Sequence, residues 1–221
     1  MMYKTEKDLV DNITKIINSG KINGFLFSNK DNRKIFTELN LGYGIPDIVI
    51  THYKSIESNR TDYLNIFDIS ILRTINNLRE VSLEGICNVS KTSKIQTKVS
   101  LQKLLSQELV ASDNSIFKPD KLYKSYITET VAIEAKLRSW KQALKQAYRY
   151  KWFSERSFVF LPEETIEPAK KNLELFEEFG VGLASVNKKK GITVLYNPKT
   201  IVPISADMSA LLNEYLLSAA I

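Results

Sequence analysis

The stretch VAIEAKL, residues 131–137, decides the fold of this chain. Side chains of an extended strand alternate between its two faces. Four apolar side chains therefore share one face, while Glu134 and Lys136 lie together on the other. On spacing alone, this charged pair also fits the solvated face of a half-buried strand. The spacing of Glu134 and Lys136 therefore does not by itself distinguish a chemical role from a solvent-exposed charged pair.

A second informative stretch is GIPDIVI, residues 44–50, in which Asp47 follows Pro46 and opens a strongly β-prone run. The run is apolar enough to be buried on both faces, where a carboxylate is costly unless it is paired or binds a metal. Two such strands can bring Asp47, Glu134 and Lys136 to one point of a sheet. Two carboxylates neutralise a divalent cation, and a lysine can carry positive charge toward a phosphate or a water.

Composition limits the chemistry further. The 221 residues include one cysteine, Cys87, and one histidine, His52. An intramolecular disulfide, a cysteine-based zinc site and a multi-histidine site are therefore excluded. Any metal must be held mainly by carboxylates and carbonyls, which suits a hard cation such as Mg²⁺. The formal net charge of +6 favours a polyanionic partner, although a basic protein without such a partner has the same charge.

Hydrophobic periodicity predicts an α/β chain interrupted by a helical block. Before the block, we expect a helix at 6–17 and strands at 34–41 and 45–51, and residues 34–41 also fit a short helix. Within it, we expect helices at 67–78, 83–89 and 93–105 and a small hairpin around 112–115. After it, we expect strands at 131–137, 157–161, 181–186 and 192–196, and helices at 139–153, 166–179 and 207–219. The flanking segments need one another to make a sheet covered by helices. The sequence therefore predicts a discontinuous core, 1–60 and 127–221, with a small domain inserted at 61–126.

Pro46-Asp47 and Glu134-Ala135-Lys136 resemble the bipartite motif of the PD-(D/E)xK nucleases, the restriction-endonuclease-like superfamily. The following helix is similar to a glutamine-bearing helix of that family, and Glu38 stands where many members carry a further acidic residue. The similar helix positions are Trp140, Ala143, Gln146, Ala147 and Tyr150, and residues 157–162 and 180–183 resemble the family's later strands. The gap between the motifs is longer than is usual, because the helical block lies inside it. The resemblance implies a restriction-endonuclease-like core, a mixed sheet flanked by helices.

The resemblance also implies a reaction, the metal-dependent hydrolysis of phosphodiester bonds in DNA by an endonuclease. Asp47, Glu134 and the Ala135 carbonyl would hold Mg²⁺, for which Mn²⁺ can substitute, and the ion would activate water. Lys136 would position that water or the scissile phosphate. Gln146 would support the site from the helix, and Glu38 would add an acidic group. The alternative is a DNA-binding regulator or assembly component whose nuclease-like core is inactive or gated by a partner.

The inserted block resembles the winged-helix-turn-helix family, whose order is helix, helix, turn, helix and hairpin. The helix at 93–105 would then enter the major groove. The residues expected to contact DNA are Lys91, Lys94 and Lys98 at phosphates, and Gln96, Thr97 or Ser100 at base edges. The alternative is a helical module that packs against the core or binds protein.

On the helix at 139–153, Lys141, Lys145 and Arg149 recur every four residues along one face. We interpret this row as a phosphate track beside Glu134 and Lys136, with a solvated basic face as the alternative.

Residues 1–11 are polar and charged, unlike a signal peptide, and no stretch approaches the ~18 consecutive apolar residues of a membrane span. The sequence therefore predicts a soluble, cytoplasmic protein with no membrane partner. Its expected partner is double-stranded DNA, and a homodimer or a larger nucleoprotein assembly is compatible with that partner.

Overall fold

The structure, a computed structural model, describes residues 3–19, 22–23, 32–57, 60 and 62–220. Its helices are α1 (Glu6–Ser19), α2 (Ile66–Leu78), α3 (Leu83–Ser90), α4 (Lys94–Ser106), α5 (Trp140–Arg149), α6 (Glu167–Lys170), α7 (Leu173–Phe179) and α8 (Ala206–Ala220), and a 3-10 turn at Tyr150–Trp152 follows α5. Its strands are β1 (Ile22–Asn23), β2 (Asn32–Thr37), β3 (Ile48–Tyr53), β4 (Val81–Ser82), β5 (Val110–Asp113), β6 (Ile116–Pro119), β7 (Ile127–Ala135), β8 (Arg156–Pro162), β9 (Gly182–Asn187) and β10 (Gly191–Tyr196). The chain divides into two compact units, one formed by Met1–Lys54 and Ile127–Ser205 and the other by Ser55–Tyr126 and Ala206–Ile221.

The first unit is built on a mixed sheet, whose described strands have the order β1-β10-β9-β8-β7-β3-β2. Strands β7, β8 and β9 are parallel neighbours, and β3 and β2 extend the sheet from β7 in antiparallel fashion. All seven residues of β8 are buried, as expected for a central strand with both faces covered. The predicted α/β class, a mixed sheet flanked by helices, is confirmed.

The alternation predicted for β7 sorts its side chains between two layers. Val131, Ile133 and Ala135 belong to a core cluster that includes Leu9 and Ile13 of α1. The even-numbered residues of β7 point to the other face of the strand, and helix α5 packs against β7 and β8. One face of β7 therefore builds the core under α1, and the other is available to groups that come from α5.

Two predicted elements of the first unit differ in the structure. The helix expected at 166–179 is two short helices, α6 and α7, with Asn172 between them. The Asn172 side-chain amide donates to the Pro168 carbonyl at 2.8 Å, a local bond of the kind that competes with regular helix. Strand β2 ends at Thr37 instead of Leu41, because Glu38 adopts a positive φ of 52° and turns the chain out of the extended conformation.

The second unit follows the predicted order of three helices and a hairpin. Helix α2 is capped by Asn65, which exchanges hydrogen bonds with Asp68 in a capping box, and serine side chains cap the starts of α3 and α4. These caps satisfy the free amides of each first turn. The short strand β4 pairs with β6, which pairs with β5, in an antiparallel sheet of described residues.

Helix α8 belongs to the second unit, although the sequence assigned residues 127–221 to the core. Its Glu214 is buried and accepts hydrogen bonds from the Arg60 guanidinium, the Leu64 backbone N–H and the Tyr123 hydroxyl. Asn213 of the same helix accepts from the Tyr126 backbone N–H at 2.8 Å. These contacts join the C-terminal helix to residues 60–126, so the predicted boundary is wrong at this end of the chain.

Candidate active site

Strand pairing brings Asp47 beside the strand that carries Glu134. Strand β3 runs antiparallel to β7 with Ile48 opposite Ile133, so Asp47, one residue before β3, comes level with Glu134. The Asp47 carboxylate accepts a hydrogen bond of 2.7 Å from the Ala135 backbone N–H. The end of β7 therefore holds the two carboxylates that lie 87 residues apart in the sequence (134 − 47).

The Glu134 side chain is buried, with 1% of the residue exposed. One carboxylate oxygen, Oε1, lies 2.7 Å from Lys136 Nζ, and the other, Oε2, accepts a hydrogen bond from the Tyr150 hydroxyl. The same hydroxyl lies 3.3 Å from the Ile45 carbonyl oxygen. A buried carboxylate is tolerated when its charge is paired and its lone pairs are used. Lys136 and Tyr150 together meet both conditions.

The electrostatics of the site reflect burial opposed by positive charge. Burial raises the pKa of Asp47, while the Ala135 N–H and Lys136 act to lower it. Burial also raises the pKa of Glu134, against the hydrogen bonds from Lys136 and Tyr150 that act to lower it. Burial alone would lower the pKa of Lys136, but the hydrogen bond with Glu134 and the neighbouring carboxylates raise it. The lysine is therefore held as a cation beside carboxylates that are harder to ionise than usual.

Glu6 is a member of this cluster that the sequence did not indicate. It lies in the first turn of α1, and its Oε2 atom is 3.4 Å from Lys136 Nζ. Its charge also contributes to the raised pKa of Asp47. Acidic residues are common in first helical turns, where the helix dipole favours them. No signal in the sequence therefore separates Glu6 from an ordinary helix start.

Glu38 and Gln146, which the resemblance placed at the site, occupy different surroundings. Glu38 is exposed, but its backbone N–H donates to the Asp47 carbonyl at 3.3 Å, and its charge helps to raise the pKa of Asp47. Gln146 lies one helical turn before Tyr150, the residue that reaches Glu134. Glu38 therefore adds negative charge near Asp47. The buried Oε1 atom of Gln146 accepts no hydrogen bond from the described residues.

The donor set at this site is made of oxygens. No group of three or more His, Cys, Asp or Glu side chains in the described part of the chain is placed to hold a metal. Asp47, Glu134 and the Ala135 carbonyl still fit Mg²⁺, which often binds one or two protein carboxylates and keeps several waters. Lys136 and Tyr150 engage both Glu134 oxygens. A cation on Glu134 would therefore compete with these two contacts for the carboxylate oxygens.

In the second unit, most of the residues expected at DNA are on the surface. Lys91 closes α3 in a left-handed conformation with φ 54° and is exposed. Gln96 and Lys98 are exposed on α4. Lys94 is also exposed, but it forms an ion pair of 2.8 Å with Glu84 of α3. Lys91, Gln96 and Lys98 are thus accessible to a ligand, whereas Lys94 already has a partner.

Thr97, which was expected to contact a base edge, is buried instead. It has no exposed surface, and its hydroxyl bonds Thr92 at 2.8 Å and the Ser93 carbonyl at 2.9 Å. Ser100 is also buried, with its hydroxyl on the Asp68 carboxylate at 2.5 Å. These two side chains hold α4 to its neighbours, so neither can reach a base edge. The inward face of α4 mixes these two polar residues with Leu101 and Leu104, and for that reason the periodicity of apolar residues does not reveal all of it.

Lys141 and Lys145 do not join the carboxylates. They line a cleft in the first unit together with residues of α5 and α7, and none of the residues that contact Glu134 lines it. On α5, Gln146 points about 100° away from Lys145 around the helix axis, since an α-helix has 3.6 residues per turn. The structure therefore gives no support to a phosphate track running from these lysines to Glu134.

Comparison with protein-family models, with curated proteins and with solved structures finds no match to this chain. Among the described helices, none has the length and apolar character that crossing a membrane requires.

Proposed function

We propose that the chain is a Mg²⁺-dependent DNA endonuclease, with a restriction-endonuclease-like core in the first unit and a winged helix in the second. The observation that carries the proposal is the meeting of Asp47, Glu134 and Lys136 at the end of β7. Three charged side chains in largely buried surroundings are expensive for a fold that does not use them. Perturbed carboxylates grouped with a lysine are typical of sites that perform chemistry.

Each residue has a role that follows from its contacts. Asp47 and Glu134 would hold the ion with the Ala135 carbonyl. The bound ion would supply an activated water and would stabilise negative charge on the phosphate. Lys136, kept cationic by Glu134, would bind the scissile phosphate or orient the attacking water. Glu6 would keep the Lys136 ammonium in place through their contact of 3.4 Å.

The second unit supplies a surface for DNA. Its order of helix, helix, turn, helix and hairpin supports the proposal of a winged helix, in which α4 would enter the major groove. The stretch Asn88–Lys103 contains four lysines and no acidic residue. Lys91 and Lys98 would contact phosphates, and the exposed Gln96 is the remaining candidate for a base edge.

Cleavage of supercoiled plasmid tests the nuclease proposal. Purified protein with Mg²⁺ or Mn²⁺ should convert the plasmid to nicked or linear forms, and EDTA should stop the reaction. Asp47→Ala and Glu134→Ala should abolish cleavage while leaving DNA binding in place. Glu177→Gln, a change at an exposed residue of the same unit, is the matched control. Mg²⁺-dependent cleavage that survives both carboxylate changes would exclude this site.

A second candidate is a DNA-binding protein whose nuclease-like core is latent until a partner binds. The observation in its favour is that Lys136 and Tyr150 engage both oxygens of Glu134, so that an incoming cation would compete with both contacts. This candidate predicts DNA binding without cleavage under any metal condition. Cleavage by the isolated protein would reject it.

A further inference from the structure

An apolar cleft of about 510 Å³ lies between α5 and α7 in the first unit. Its apolar lining comes from Trp140, Leu144, Tyr148, Leu175 and Phe179. Tyr148 is 47% exposed and Phe179 is 39% exposed, and their rings meet edge to face at 5.5 Å. Exposed aromatic side chains grouped around a concave surface are typical of sites that bind another molecule.

The two helices that border this cleft carry opposite charges. On α5, the row Lys141, Lys145 and Arg149 follows the apolar lining at intervals of four residues. On α7, Glu174 and Glu178 form a second row, each one residue before a lining residue. All five charged side chains are exposed. None of them takes part in an ion pair within the described residues, and Lys141 Nζ lies 5.5 Å from the centre of the Trp140 ring. No carboxylate of the described residues therefore competes with a partner for these side chains.

The opposite charges of the α5 and α7 rows distinguish between a nucleic acid and a second copy of the chain as partners. A nucleic acid would be attracted to the α5 row but repelled by the α7 row, since it is negative along its whole length. A second copy of the chain carries the same two rows. A two-fold rotation can place the basic row of each copy against the acidic row of the other, with the apolar linings between them. Such a contact is self-complementary and closed, as in most homodimers.

We infer that the α5–α7 face is the interface of a homodimer of this chain. The apolar lining supplies the water-excluding centre, and Lys141 and Lys145 pair with Glu174 and Glu178 of the second copy at the rim. The rim charges set the orientation and select the partner, since like charges in the wrong register repel. None of Asp47, Glu134 and Lys136 lines this cleft, so the dimer does not require that the protein cleave DNA.

A charge exchange tests the dimer. The wild-type protein should pass from monomer to dimer in analytical ultracentrifugation between about 1 µM and about 100 µM, the range in which modest interfaces dissociate. Lys141→Glu with Lys145→Glu should raise the dimer Kd about 10- to 30-fold, since each reversal acts twice in a two-fold interface. Glu174→Lys with Glu178→Lys should do the same. The four changes together should restore the Kd to within about threefold of wild type, because complementarity returns with its sign exchanged.

Controls separate this result from general effects of charge. Lys189→Glu with Lys199→Glu makes the same change in net charge at exposed residues outside the cleft, and should leave the Kd unchanged. Circular dichroism and thermal melting check the fold of each variant. If the charge reversal perturbs the fold, Lys141→Gln with Lys145→Gln is the milder substitution, and it should raise the dimer Kd about threefold. A wild-type protein that stays monomeric would overturn the inference. So would a quadruple variant whose dimer Kd is as high as that of the double variants. Loss of DNA binding in Lys141→Glu with Lys145→Glu at unchanged mass would assign the face to nucleic acid instead.

Discussion

Replacing Tyr150 by Phe should destabilise the metal-free protein. The change removes one oxygen and keeps the buried ring, which packs near Phe153 at 5.9 Å between centroids. The lost contact is the hydrogen bond that the hydroxyl donates to the buried Glu134 carboxylate. A hydrogen bond to a charged group contributes about 1.5–3 kcal/mol. The free energy of unfolding, measured with urea in EDTA at neutral pH, should fall by about that amount.

The same change should make Glu134 easier for a cation to reach. In the wild-type protein an incoming ion competes with Tyr150 and Lys136 for the Glu134 oxygens. Without the hydroxyl one competitor is gone, so the affinity for Mn²⁺ should rise about 10-fold to 100-fold. Calorimetric titration of both proteins with Mn²⁺ measures this difference, and the rate of plasmid cleavage in the variant should not fall.

The pH dependence follows from the ionisation of Glu134. The hydrogen bond from Tyr150 acts to lower the pKa of Glu134, although burial keeps that pKa above its ordinary value. The bond stabilises the ionised form, so its contribution is present above the raised pKa and is lost as the pH falls through it. The difference in stability between variant and wild type should therefore shrink at acid pH.

A tyrosine of the second unit provides the control for this experiment. The Tyr126 hydroxyl donates to the Glu57 carbonyl at 2.9 Å, a bond between neutral groups. Tyr126→Phe should lower the stability by about 1 kcal/mol and leave Mn²⁺ affinity unchanged. If Tyr150→Phe changes neither stability nor Mn²⁺ affinity by more than Tyr126→Phe does, the described contact with Glu134 does not control the site.

Three further predictions concern other parts of the protein. Because burial raises the pKa of Asp47, Asp47→Asn should increase the free energy of unfolding of the metal-free protein at pH 7. This increase should vanish toward about pH 4, where the carboxyl group of the wild type is protonated. Urea unfolding across this pH range measures the difference. Lys91→Ala with Lys98→Ala should weaken DNA binding and reduce the slope of log K against log salt by about 1.8, and an unchanged slope in a fluorescence titration would move the second unit to protein binding. Gly182→Ala should lower the unfolding free energy by about 1–3 kcal/mol or more, because an added Cβ would lie 2.1 Å from the Phe158 ring; a thermal melt equal to that of the wild type would contradict this packing.

Local patterns in the sequence determined most of the elements. The apolar spacing of residues 6–17 predicted α1, which runs from Glu6 to Ser19. The alternation in 131–137 predicted a strand with Glu134 and Lys136 on one face, and the salt bridge of 2.7 Å between them is in keeping with that alternation. Such patterns are readable because helix and strand periods depend only on neighbours along the chain.

The composition and the two motifs by themselves also limited the chemistry. A single cysteine and a single histidine leave carboxylates as the main metal ligands. The pairing of β3 with β7 then placed Asp47 at the Ala135 amide. That placement was predictable because both segments were recognisable as strands, although their register was not.

Only the tertiary structure decided which distant side chains meet. Glu6 joins the carboxylate cluster from the first turn of α1, and Tyr150 joins it from the 3-10 turn after α5. In the sequence, Glu6 is like an ordinary helix start and Tyr150 is like a core aromatic residue. Thr97 is buried among polar partners, so its burial cannot be predicted from the spacing of apolar residues. Helix α8 joins the second unit through the buried carboxylate of Glu214. In each case the contact depends on strand register and helix packing, which the whole fold determines and no local stretch encodes.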